Sequence, residues 1–352
     1  MSESACGGKP VWRKYLWMGC KFALAAVIIY YLISSHSEDF RRGLNNFNYY
    51  FLIPASIAYF SHMLICGWRW YELAKMIGTP ISLGEAVAVT MQGYFWSLVI
   101  PGGAIGGDVA RVSIVASRMP KGGKAEGVLS ILMDRIVGMV ALFALTIVLV
   151  LVSLPQLMNM EINGSPLSYS FKLLCVLGLL GLSLGGIAAM LVLFFHRQFS
   201  RIGVIARLMK WGDQRSHGMV TRSTAAFDLY AKNWKMLSFL TLISVFFVHL
   251  MTVVAVIFLI YGLGFRGFSV LAVITAVTVG NIVGLLPFSI SGIGPRDAVI
   301  LILLRAGRVS DEASAVVPII YSCLIVAFNL VGALFFIFDT GAKRVAEAKR
   351  CP

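Results

Sequence analysis

Charge is what this sequence has least of. Only 13% of its 352 residues are Asp, Glu, Lys or Arg, about half of the roughly 25% usual in soluble domains. A chain this long with so few charges cannot cover a water-facing surface, which excludes a soluble globular enzyme and a disordered chain. Acidic residues are scarcer than basic ones, 16 against 30, for a net charge of +14. Cys6, Cys20, Cys66, Cys175, Cys323 and Cys351 have no metal or redox spacing, which argues against a thiol site or a disulfide scaffold. No His/Cys cluster suggests a metal, and no G-x-x-x-x-G-K-[ST] string offers a nucleotide cradle. No metal, no cofactor and no enzymatic activity are therefore expected, because Asp and Arg residues come without an evident nucleophile.

What is abundant is apolar sequence, at 59% of the chain. A membrane-spanning helix needs about 20 mostly apolar residues. Six stretches meet this: Tyr15–Ser34, Tyr49–Trp70, Val128–Ser153, Phe171–Phe195, Met236–Tyr261 and Ala313–Phe338. Two further apolar stretches, Ile81–Arg118 and Phe268–Ala306, are broken in the middle by Pro and Gly.

Basic residues set the sidedness. They cluster before the first span (Lys9, Arg13, Lys14), after the second (Arg69, Lys75), between Arg111 and Lys124, through Arg197–Lys235, and at the end (Lys343, Arg344, Lys349, Arg350). Leu154–Ser170 has none. The positive-inside rule puts these clusters and both termini in the cytoplasm and Leu154–Ser170 outside. The +14 is then an orientation signal and calls for no nucleic acid. Each broken stretch has both flanks on one face, so each is expected to turn back as a re-entrant helical hairpin, the two entering from opposite faces. Non-helical backbone at that depth is tolerated only against protein or a wet cavity, so a polar cavity is expected between them.

The fold class expected is an all-α polytopic membrane protein, with six full spans plus two opposed re-entrant hairpins in an inverted repeat. The whole chain, residues 1–352, reads as one transmembrane domain. Span, hairpin, span recurs at 49–153 and 236–338 with opposite sidedness, joined by the span and basic loop of 154–235. Gly/Pro-interrupted helices at matching positions of inverted repeats point to a transporter site near the midplane.

Ionisable residues inside a bilayer cost roughly 2.5–3.5 kcal/mol each on insertion scales, so each needs a reason. Asp108 and Arg111 lie three apart where the first hairpin resumes, on one helix face. The carboxylate can neutralise an Arg or cap the helix start. Asp134 and Arg135, adjacent in a span, cannot face each other and need partners, for which Asp108 and Arg111 are the obvious choice. Arg296 and Asp297 sit at the tip of the second hairpin. Arg side chains bind phosphate bidentately, and backbone N–H groups at Gly106, Gly107, Gly292 and Gly294 also attract anions. Gln92, Tyr94, Asn281, Ser289 and Ser291 are expected to line the same path. Arg69, beside Trp68 and Trp70, reads as an interfacial side chain snorkelling to water. Mid-span His62, His249 and Asn329 read as interhelical hydrogen-bonding residues. The stretch Arg197–Lys235 fits both an amphipathic helix lying on anionic lipid and simple topology.

Three strings carry a family resemblance: Pro101-Gly-Gly-Ala-Ile-Gly-Gly-Asp108-Val-Ala-Arg111, Leu132-Met-Asp134-Arg135-Ile-Val-Gly138, and Ser291-Gly-Ile-Gly294-Pro-Arg296-Asp297. With Arg69-Trp70 they resemble the lysylphosphatidylglycerol synthase transmembrane family, also described as flippase-like. The resemblance implies a domain of a bacterial or archaeal membrane that moves polar lipids between leaflets. The chain continues only about fourteen residues past its last span, so the aminoacyl-transferase domain of the bifunctional relatives is expected to be missing. The function expected is a lipid translocase of the bacterial cytoplasmic membrane. It would bind an anionic lipid headgroup through Arg111, Arg135 and Arg296, balanced by Asp108, Asp134 and Asp297. The alternative is a non-transporting partner that holds a lipid-modifying enzyme through the loop at Arg197–Lys235.

Overall fold

Backbone inside hydrocarbon must satisfy its own N–H and C=O groups, and a helix does so within a single segment. The computed structural model describes residues 44–100, 104–119, 124–162, 165–166, 168–194, 227–285 and 292–337, with isolated positions at 42, 203, 207, 211 and 214. Among the described residues, five helices are long and apolar enough to cross a membrane: Tyr49–Met76, Lys124–Val152, Tyr169–Phe194, Trp234–Gly262 and Asp311–Phe336. The span expected at Tyr15–Ser34 lies outside the described residues, as does most of the basic loop.

The chain enters α1 (Leu52–Met76) through one 3-10 turn whose N-cap is Asn48. The first broken stretch is α2 (Leu83–Val99) and α3 (Ala104–Arg118), packed against each other. Ser82 and Glu85 form a reciprocal capping box that starts α2, tying up two orphan N–H groups. The long α4 (Lys124–Val152) follows, then a short α5 (Leu154–Met158). The segment expected outside the membrane holds a short antiparallel pairing of Glu161–Ile162 with Ser165–Pro166.

α6 (Tyr169–Phe194) packs mainly on α4, where Gly186 lies against the Phe143 ring. Its remaining faces expose Leu174, Leu177, Leu182 and Leu184, as expected of a peripheral helix against lipid. Then come α7 (Trp234–Ile243), a π-helical turn at Ser244–His249, and α8 (Leu250–Gly262), which run on as one long rod. The second broken stretch is α9 (Val270–Gly284) and α10 (Pro295–Ala306), again packed together. α11 (Asp311–Ile337) closes the described chain and carries Pro318 inside it.

The main core joins α1, α8, α9, α10 and α11 through side chains such as Met63, Val256, Ile260, Ile300, Leu304 and Tyr321. A second cluster joins α1 and α4 to residues 227–240 through Leu73, Met133, Ile136, Tyr230 and Leu240. Apolar burial alone drives little association between helices in lipid, so small residues that permit close approach matter more. A Cβ at Gly67 would lie 2.9 Å from the Val87 Cα, and one at Gly332 would strike the Met91 carbonyl. These positions bring α1 and α11 against α2.

Candidate functional site

Three elements meet at the first hairpin: α1 brings Arg69, α3 brings Asp108 and Arg111, and α4 brings Asp134 and Arg135. The Arg69 Nε donates to Asp134 Oδ1 at 2.8 Å, and its Nη1 donates to the Ser244 hydroxyl at 2.9 Å. Arg111 Nη1 donates to Asp134 Oδ2 at 3.0 Å and lies 3.5 Å from Asp108 Oδ1. Arg135 Nε donates to Asp108 Oδ2 at 2.6 Å. Two carboxylates thus link three guanidiniums in one chain, and every carboxylate oxygen is already engaged. Asp134 is 4% exposed and Arg111 6%, so these are charge-assisted bonds in a low-dielectric setting, where they are strong.

Local backbone makes room for the network. A Cβ at Gly93 would lie 2.6 Å from the Arg111 Cδ, and one at Gly138 would lie 3.2 Å from the Arg69 Nη1. A Cβ at Gly107 would run into the Gly93 carbonyl, so α2 and α3 touch through their backbones there. The guanidinium of Arg111 sits over the Trp70 ring, 4.8 Å from its centre, a cation–π geometry. The π-helical turn offsets α7 from α8 and presents both Ser244, to Arg69, and His249, whose Nε2 donates to the Gly138 carbonyl at 3.1 Å. Such turns recur at functional sites.

The second hairpin builds a more local cluster. Gly294 takes φ +90°, open only to glycine, and starts α10 with Pro295 next. Asp297 at the third helical position accepts the Gly294 N–H at 3.1 Å. The same carboxylate accepts from Arg296 Nη2 at 3.0 Å and from the Ser322 hydroxyl at 2.7 Å. Arg296 also contacts Ser322 and lies over the Tyr321 ring, 5.1 Å from its centre.

A cavity of about 250 Å³ lies between the two clusters. The first hairpin and its partners contribute Arg69, Gly107, Asp108, Arg111, Asp134 and Arg135 to its wall, and the second contributes Asn281, Gly284, Gly292 and Arg296. Tyr59, His62, Thr90, Tyr94, His249 and Asn329 complete much of the rest. His62 Nδ1 donates to the Val248 carbonyl at 3.0 Å, which leaves Nε2 toward the Tyr94 hydroxyl 3.5 Å away. Among the described residues lining the cavity, Arg111 Nε and Nη2, the Thr90 hydroxyl and the Asn329 side-chain oxygen are buried without a hydrogen-bond partner. Buried polar atoms left unpaired are uncommon and call for an explanation.

The model of the lysylphosphatidylglycerol synthase TM region matches residues 19–333. The chain belongs to that family. It is a membrane domain associated with lipid handling, and both charged clusters and the cavity fall within the matched region. No curated protein and no solved structure matches the chain.

In this family member, eight of the expected site residues line the cavity: Arg111, Arg135, Arg296, Asp108, Asp134, Gly107, Gly292 and Asn281. Asp297 and Gly294 stand behind Arg296 as its support. Gly106 packs on Ile100, whose carbonyl would lie 2.6 Å from a Cβ there. Gln92 is fully buried away from the cavity wall and donates to the Phe335 carbonyl at 3.1 Å; it ties α2 to α11. Tyr94 does line the cavity, while Ser289 and Ser291 lie outside the described residues. The cross-pairing expected for the first cluster is observed, Asp134 with Arg111 and Arg135 with Asp108.

Arg69 corrects the sequence reading. It is 5% exposed and anchors Asp134, with no snorkelling to an interface. The neighbouring Trp68 and Trp70 suggested a belt, yet Trp70 is fully buried and donates its indole N–H to Ser130. His62 and His249 do make interhelical hydrogen bonds, as expected, and also line the cavity. Their signal was position, since each lies mid-span.

Proposed function

We propose that this protein is a lipid translocase of the bacterial cytoplasmic membrane, with both termini inside. An anionic headgroup enters the cavity between the hairpins while the tails stay in the bilayer. The observation that carries this reading is Arg111: a buried guanidinium on the cavity wall with two donor atoms unpaired. Arg is charged under all relevant conditions and its planar fork fits a phosphate oxygen pair. Arg135 and Arg296 supply further positive charge on the same wall.

The hairpin limbs support the re-entrant arrangement. They have 17 and 15 residues in the first hairpin and 15 and 12 in the second. At about 1.5 Å per residue even the longest runs only about 25 Å, short of a roughly 30 Å hydrocarbon core. The likeness of 49–153 to 236–338 extends to the tips. In each, glycine lets the two limbs approach, Gly93 with Gly107 and Gly284 with Gly292. Two inverted repeats meeting at a midplane site can rock about it and expose it to either face in turn.

The test is reconstitution of the purified protein into phosphatidylcholine vesicles with a trace of fluorescent anionic phospholipid. Quenching from outside then reports the pool that has crossed. The protein should accelerate crossing, and Arg111→Gln should slow it by roughly ten- to a hundredfold, the worth of a hydrogen bond to a charged group. Crossing at the parental rate in correctly folded Arg111→Gln and Arg296→Gln variants would overturn the mechanism.

A further inference from the structure

Two imidazoles on the cavity wall stand outside the charged clusters. His62 comes from α1 and His249 from the π-helical turn. Each is held by one nitrogen: His62 Nδ1 meets the Val248 carbonyl at 3.0 Å, and His249 Nε2 meets the Gly138 carbonyl at 3.1 Å. A carbonyl only accepts, so those two nitrogens carry the hydrogens. In the neutral rings the other two, His62 Nε2 and His249 Nδ1, keep lone pairs that can take a proton. The Tyr94 hydroxyl stands 3.5 Å from His62 Nε2. Val248 and His249 are successive residues, so the acceptor of one ring and the other ring itself share a single turn.

The surroundings set when that proton is favoured. Tyr59 and Tyr94 flank His62, with ring centres 5.4 and 6.2 Å away, and Cys66 follows one turn later on α1. Tyr321 of α11 also lies on the wall. The charged groups facing the rings are Arg69 on α1, Asp108 and Arg111 on α3, Asp134 and Arg135 on α4, and Arg296 on α10. Among the described residues, α7 and α8 place no charged side chain there. Asp134 is engaged by Arg69 and Arg111, and Asp108 by Arg135. The Arg69 guanidinium stands close to His249: a Cβ on Gly138, whose carbonyl holds that ring, would lie 3.2 Å from Arg69 Nη1. Without an anion beside it, an imidazolium there meets a guanidinium at short range in a low-dielectric setting. A phosphate held by Arg111 reverses the balance, because it brings negative charge into the space both rings line.

We propose that His62 and His249 form a proton site linked to that anion: a phosphate in the cavity draws one proton from water onto the pair. The proton goes to His62 Nε2 or His249 Nδ1, and no other covalent bond is made or broken. A second proton is opposed by the first, since both rings are held at one turn. The bonds to Val248 and Gly138 persist through the change, so the site gains charge without loosening α1 or α4 from the π-helical turn. Anion and proton then cross as a neutral load, and a proton gradient drives the cargo. The inference rests on the translocase reading and supplies its energy source.

The binding probe is dioctanoyl phosphatidylmethanol, whose phosphodiester stays charged across the imidazole range. Its Kd for the detergent-solubilised full chain should rise between about pH 6 and 8, by up to about tenfold per unit, the limit for one linked proton. Calorimetry in two buffers of different ionisation heat should count about one proton taken up per probe. His62→Asn and His249→Gln each put an amide nitrogen in place of the bonded ring nitrogen, and neither takes a proton. Together they should flatten the profile to under about twofold. In vesicles about one pH unit more acid outside, a fluorescent anionic phospholipid should gather in the inner leaflet by up to about tenfold. A flat profile with no proton uptake in the parental chain would overturn the inference, and that measurement needs no variant. So would a slope that survives both substitutions, which would move the proton to Asp108 or Asp134. Equal pools in the two leaflets under the gradient, or no binding at any pH, also count against it. If binding takes up a proton and no lipid crosses, the translocase reading fails and the proton site stands. If lipid crosses with no proton uptake, the reverse holds.

Discussion

The two hairpins carry the same residue types and use them differently. At the first, Arg and Asp come from separate elements, α1, α3 and α4, and the chain of ion pairs holds them together across the fold. At the second, Arg296 and Asp297 are adjacent, and their further partners include the helix start, Ser322 and the Tyr321 ring. The first cluster has donor capacity to spare at Arg111. In the second, a single carboxylate accepts from a guanidinium, a hydroxyl and a backbone N–H. Equal composition therefore yields a network spread over three elements in one place and a locally bonded cluster in the other. Redundancy makes the difference. Removing Arg111 still leaves Asp134 with Arg69 and Asp108 with Arg135, so the rest of the network does not depend on it.

That contrast can be broken by mutation. The largest expected effect is Asp134→Asn, which takes the closest carboxylate from two buried guanidiniums and leaves Arg69 with Ser244 and Arg111 with the more distant Asp108. It should cost at the upper end of the ~3–5 kcal/mol typical of a broken buried pair, read as lost thermal stability in detergent. Asp297→Asn takes a carboxylate from one guanidinium, and Ser322 still contacts Arg296, so about 3 kcal/mol is expected. An equal or greater loss at Asp297 would erase the distinction. Gly93→Ala should push the Arg111 stem aside at about 1–3 kcal/mol of overpacking, and should slow transport more than that destabilisation alone would. Smallest is Ser244→Ala, which removes one hydrogen bond from Arg69 and should cost about 1 kcal/mol. The same assays with Arg111→Gln sharpen the comparison: transport should collapse while stability barely changes.

Much of this was legible in the sequence, because hydropathy and periodicity act over whole helices. The expected span Val128–Ser153 lies within the observed Lys124–Val152 to one residue, and Met236–Tyr261 within Trp234–Gly262. The cross-pairing of Asp108, Arg111, Asp134 and Arg135 followed from helix geometry, since adjacent residues on a helix point apart. Arg69 was misread because its immediate neighbours are Trp68 and Trp70, and local context cannot reveal a partner 65 positions away. Gln92 was misplaced for a related reason. Polar character announces a need for a partner without saying which, and the Phe335 carbonyl serves as well as a cavity. The π-helical turn leaves little mark in composition, because Val245, Phe246, Phe247 and Val248 continue the apolar run between Ser244 and His249.

The contact between Gly93 and Gly107 reaches further than the space it leaves for Arg111. Side chains can slide past one another by changing rotamer, but two main chains in contact have nothing left to yield. At that level α2 and α3 form a single stiff beam, and Gly284 against Gly292 imposes a similar constraint on the other hairpin. Bending at those two contacts is therefore resisted. Movement of either hairpin would carry both of its limbs together.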